Sequence, residues 1–100
     1  MTSNFENLLA EFQRLSILQI LQDDEDYSAN TDILSSALSH LGNTISSDAL
    51  NAHVDWLRKK GLIKVRLIGS FTVVQLTKRG LEAAQGILRV DGVRRPGPKD

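Results

Sequence analysis

The chain has 100 residues, of which 41% are apolar and 24% charged, a composition that fits one small globular domain and excludes a disordered or membrane-spanning chain. With no cysteine it can build neither a disulfide framework nor a thiolate metal site. Its formal net charge of zero hides a polarity, because residues 1–55 hold nine acids and one base, and residues 56–100 hold eleven bases and three acids. Such a charge dipole suits a basic binding face on an acidic remainder, or head-to-tail association. A chain this short buries a modest share of its surface, so oligomerisation is the default expectation. No run approaches the roughly 20 apolar residues that span a bilayer, and no basic segment followed by an apolar run opens the chain. The expected compartment is the cytoplasm, with no membrane partner.

Ser3-Asn4-Phe5-Glu6 has the form of a capping box, and predicts the start of a first helix. Phe5, Leu8, Leu9, Phe12, Leu15, Leu18 and Leu21 follow at three- and four-residue spacing, an apolar face about five turns long. Ile17 and Ile20 widen that face, either for a second protomer or for a broad wrap by the chain's own domain. Asp23-Asp24-Glu25-Asp26 lacks the alternating oxygen ligands and turn glycine of a calcium loop, and reads as a solvated linker. Asn30 or Thr31 caps a second helix with Ile33, Leu34, Ala37, Leu38 and Leu41 inward and Gly42 as its stop.

Ser46 caps a third helix, with Ile45 packing on Leu50 as a staple. Leu50, Val54 and Leu57 line its inner face, and Gly61 ends it. The second and third helices form a helix-turn-helix arrangement. The run LIKVRLIGSFTVVQLT is a β-hairpin turning at Gly69-Ser70. In that register Ile68 faces Phe71, Arg66 faces Val73 and Lys64 faces Gln75 on the outer side. Leu67 with Thr72, Val65 with Val74 and Ile63 with Leu76 form the core side. Thr77 caps a fourth helix carrying Leu81, Ala84, Ile87 and Leu88, where Gly80 permits close packing. From Arg89 onward periodicity stops and two prolines appear, so residues 89–100 read as a basic, mostly mobile tail after a domain of residues 1–88.

The fold class is thus mainly α with a β-hairpin, about four helices and two strands. LRKKGLIKV (Leu57–Val65) and VQLTKRGLEAA (Val74–Ala84) resemble the junctions on either side of the wing in winged-helix regulators of the MarR, ArsR and PadR kind. The chain is also similar to small winged-helix proteins of Mu-like phages. The resemblance implies a homodimeric transcription regulator on double-stranded DNA, whose third helix enters the major groove. At about 100° per residue the outer face of that helix carries Asp48, Ala52, Asp55 and Lys59. Two of those four are acids, which a phosphate wall repels, and Asn51 alone offers the bidentate amide suited to adenine. Phosphate contact has better candidates in Arg58, Lys59, Lys64, Arg66, Lys78 and Arg79, helped by Arg94, Arg95 and Lys99 in the tail.

Ile68, Phe71 and Val73 put an apolar cluster on the outer hairpin face, and Trp56 could extend it. That patch supports a second expectation, a protein–protein module such as a phage assembly or packaging accessory that keeps the fold without reading DNA. No catalytic motif occurs, His40 and His53 stand on separate helices without metal-ligand spacing, and no cofactor is expected.

Overall fold

The computed structural model describes residues 4–97. Seven elements follow one another: α1 (Asn4–Gln22), β1 (Ser28–Asn30), α2 (Thr31–His40), α3 (Ser47–Lys59), β2 (Ile63–Ile68), β3 (Phe71–Leu76) and α4 (Lys78–Ala84). The chain is mainly α, with four helices beside a small antiparallel sheet. The Ser3 cap expected for α1 lies outside the described residues.

Three caps stand where side-chain chemistry calls for them. Asn30 Oδ1 accepts from the Ile33 amide at 2.8 Å, Ser46 Oγ from Ala49 at 3.1 Å and Thr77 Oγ1 from Gly80 at 3.0 Å. Each satisfies an amide that the first helical turn leaves without a partner, a contribution of about 1 kcal/mol. The β2–β3 register is the expected one, from Ile68 opposite Phe71 to Ile63 opposite Leu76.

The sheet has three strands rather than two. β1 pairs antiparallel with the far edge of β3, Ala29 opposite Val74, giving the order β1-β3-β2. The four acids are exposed, as a solvated linker would be, and directly after them Tyr27, at φ 55°, leads into β1, its carbonyl accepting from the Leu76 amide at 2.8 Å.

The core gathers Ile17, Leu18 and Leu21 of α1, Leu34 and Leu38 of α2, Leu57 of α3, Leu62 of the α3–β2 turn, and Ile63 and Val74 of the sheet, all essentially inaccessible. Ile17 is thus covered by its own chain, not held for a second protomer. Several positions expected in the core are open. Ile33 (55% exposed) and Leu41 (61%) point away from the body of α2, Leu67 (77%) lies where the hairpin runs past the helices, and Ile87 (71%) follows the end of α4. α4 stops at Ala84, before the reach its apolar spacing suggested.

Gly80 is a close-packing site, as expected: a Cβ there would collide with the Leu62 carbonyl oxygen. Residues 89–97 carry no helix or strand, but the first part of this stretch is packed down instead of hanging off the domain. Val90 and Val93 are buried, and the Arg94 amide donates to the Glu11 carbonyl at 3.2 Å. The domain therefore extends past residue 88. Two apolar side chains at i and i+3 suffice to dock an irregular segment, although they make no periodic pattern.

Candidate nucleic-acid interface

The C-terminal end of α3, the start of β2 and the start of α4 meet at one junction. The Thr77 amide donates to the Leu62 carbonyl at 3.1 Å, and the Thr77 hydroxyl donates to the Gly61 carbonyl at 2.8 Å. Arg79 Nε donates to the Lys60 carbonyl at 3.1 Å. These bonds take up carbonyls of the turn that follows α3, which would otherwise be left to water. They also gather Arg58, Lys59, Lys60, Lys78 and Arg79 around one spot, with Lys64 and Arg66 continuing along β2. All seven are exposed.

The bases differ in how they are engaged. Asp55 binds Arg58 Nη2 at 2.8 Å and Lys59 Nζ at 2.9 Å along the helix, and the hydrogen bonds from Arg58 and then Lys59 hold its carboxyl below the ordinary carboxylate range. Solvent-exposed pairs of this kind contribute little to stability, but they neutralise an acid on the outer face of α3. The side chains of Lys64, Arg66 and Lys78 form no ion pair among the described residues. Asn51 is exposed beside a small cleft between α2 and α3 lined by Thr31, Asp32, Ser35 and Ser47. An acid thus stands next to the one amide suited to a base edge.

Trp56 belongs elsewhere. Two cations lie over its ring, Arg14 at 4.1 Å and Lys60 at 5.3 Å from the ring centroid, and Gly92 lies against it so closely that a Cβ would strike the ring. It serves to join α1, α3 and the C-terminal segment, so its contacts do not extend the hairpin patch. Arg14 adds hydrogen bonds from Nη1 to the Gly92 carbonyl at 2.9 Å and from Nε to His53 Nδ1 at 3.3 Å. His53 Nε2 lies 2.9 Å from Gln13 Oε1. As an acceptor at Nδ1, His53 is the neutral tautomer that donates from Nε2. Burial, then the Arg14 charge, pushes it below its ordinary 6.5. Burial likewise lowers Arg14, against the opposing pull of Glu11, and the guanidinium stays charged.

The hairpin patch is present in part. Ile68 and Phe71 are exposed and Val73 is half-buried. Phe71 turns toward α2, closing one side of an open groove of about 720 Å³ whose apolar walls are Ile20, Ile33, Ala37 and Leu41, with Asp23, Asp32 and His40 at its rim. Sequence reasoning missed this groove. The available signal was the breadth of the α2 apolar set: Ile33, Leu34, Ala37, Leu38 and Leu41 cover more of the helix than one contact can bury. Among the described residues no group of three His, Asp or Glu side chains could hold a metal ion, and no helix is long and apolar enough to cross a membrane.

No family model matches the chain. It is 40% identical over 93 residues to "Uncharacterized protein gp26" of Escherichia phage Mu, an alignment covering 93% of this chain and 96% of that protein.

Proposed function

Because the chain belongs to the family of the phage Mu protein gp26, we propose that it is a phage-type winged-helix protein that holds duplex DNA by its phosphates and reads little or no base sequence. Here α2 and α3 act as the helix-turn-helix and the β2–β3 hairpin as the wing. The observation that carries this reading is the gathering of Arg58, Lys59, Lys60, Lys64, Arg66, Lys78 and Arg79 around the α3–β2–α4 junction, tied by Thr77 and Arg79 to the end of α3. Lys64, Arg66 and Lys78 supply unneutralised charge to the backbone. Arg58 and Lys59 can trade Asp55 for phosphate, because an exposed pair holds its partners weakly. Asp48 and Asp55 on the outer face of α3, and Asp32 beside Asn51, argue against base-edge recognition, since a carboxylate near the phosphate wall is repelled. Affinity of this kind is electrostatic and falls steeply with salt. Regulation of transcription would then follow from occupancy and not from reading an operator.

A protein-docking module without DNA affinity is the second reading, favoured by the same acids on α3 and by the exposed Ile68 and Phe71. One experiment separates the two. Random and phage-derived duplexes are titrated at low salt with the wild type and with the double variant Lys64→Glu, Arg66→Glu. The phosphate-holding reading expects retention by the wild type and a loss of about tenfold or more in the variant, with an unchanged circular dichroism spectrum. Equal retention by both proteins, or none by either, would discard it in favour of the docking module.

A further inference from the structure

α2 carries two apolar stripes. Leu34 and Leu38, four residues apart, are fully buried in the core. Ile33, Ala37 and the C-cap residue Leu41 repeat the same spacing about 100° round the helix, and Ile33 and Leu41 are exposed. This second stripe, about 12 Å long and a little over two helical turns, forms one wall of the groove that Ile20 of α1 and Phe71 of the hairpin complete. Such walls leave water only when a further segment lies between them.

The rim of the groove is acidic. Asp23 and Asp32 line it, no lysine or arginine does, and neither carboxylate makes an ion pair among the described residues. Folding accounts for Asp32, which stands in the first turn of α2, at the positive end of that helix dipole. It does not account for Asp23. That residue directly follows α1, at the negative end of its dipole. The neighbouring Asp24 carboxylate holds the loop by accepting from the Asp26 and Ser28 amides, whereas the Asp23 carboxylate makes no hydrogen bond among the described residues. An acid with a local cost and no partner in its own chain, beside an uncovered apolar groove, fits a cation that arrives with the groove's occupant.

We propose that the groove docks a short, basic amphipathic helix of a partner protein. Its apolar side chains, four residues apart, lie against Ile20, Ile33, Leu41 and Phe71, and its lysines or arginines lie beside Asp23 and Asp32. A helix fits because it satisfies its own backbone groups, whereas an extended segment would lay N–H and C=O groups on mostly apolar walls. A second copy does not supply such a helix. The exposed apolar start of α1 carries Glu6 and Glu11, and the one base of that helix, Arg14, is committed to Trp56, Gly92 and His53. None of the bases at the α3–β2–α4 junction lines the groove, so the docking stands independently of DNA binding.

The test titrates the isotope-labelled full chain, at near-physiological salt, with a synthetic peptide of about four helical turns. The peptide has leucine at every fourth position and lysine or glutamine elsewhere, and its control has glutamate for each lysine. The expected result is that NMR shift changes concentrate at Ile20, Ile33, Ala37 and Leu41, and that the glutamate peptide binds about tenfold more weakly or worse. Ile33→Ser and Leu41→Ser, both at exposed side chains, should each weaken the lysine peptide by about fivefold or more. Asp23→Asn should narrow the gap between the two peptides. No binding overturns the proposal, and so do equal binding of both peptides, shifts centred on the start of α1, or affinities indifferent to all three variants. Shifts at the groove that grow with protein concentration alone overturn it in favour of a second copy. The wild-type map and the comparison of the two peptides decide even where a variant fails to fold.

Discussion

At Arg14 a single guanidinium joins three parts of the chain: it lies over Trp56 of α3, donates to the Gly92 carbonyl of the C-terminal segment and donates to His53. The arrangement requires a neutral imidazole, because a protonated His53 would lose its acceptor at Nδ1 and set a second cation beside the first. The pH dependence follows from that requirement. His53 has a folded value below 6.5, so between that value and 6.5 the unfolded chain binds more protons than the folded one. Stability is therefore full above 6.5 and is lost as pH falls through that window. Thermal unfolding midpoints measured from about pH 7.5 down to about pH 5.5 should fall for the wild type and fall less for His53→Asn, whose amide oxygen can still accept from Arg14. Parallel curves for the two proteins would show that His53 does not carry the effect.

At the scale of elements, Thr77 ends β3 and opens α4 while its hydroxyl bonds at both ends, accepting from the Gly80 amide and donating to the Gly61 carbonyl. Thr77→Val keeps the branched shape and removes both bonds. It should lower unfolding stability in urea by about 1–2 kcal/mol, and an unchanged midpoint would refute the part given to this residue. The caps were legible in the sequence because Asn30, Ser46 and Thr77 each precede an apolar period. The hairpin register was legible because a two-residue turn fixes a period-two pattern on either side. β1 was not, since Ser28-Ala29-Asn30 has no strand propensity of its own and is a strand only because the edge of β3 offers it partners. Ile33 and Leu41 were misassigned for a related reason: their spacing marks an apolar side of α2, but which part of that side meets the core depends on where α1 and the hairpin pass. Of the candidate site, the basic residues were readable as a set, while the pairing of Arg58 and Lys59 with Asp55 and the clamp on Trp56 needed three dimensions.

Across the whole molecule, the charge polarity of the sequence survives only in part, since Asp55 of the acidic half is paired with Arg58 and Lys59 of the basic half. Acids rim the apolar groove and the loop after α1, and bases gather where α3, β2 and α4 join. The proposed DNA binding rests on this basic junction, by charge and not by base recognition. The affinity of the wild type for duplexes of unrelated sequence, measured across a range of salt concentrations, tests that assignment. Each sequence should bind with similar affinity and show a straight log–log decline with salt, its slope about −0.9 for each phosphate contacted and equivalent to several contacts. A slope near zero, or no binding at the lowest salt, would contradict it.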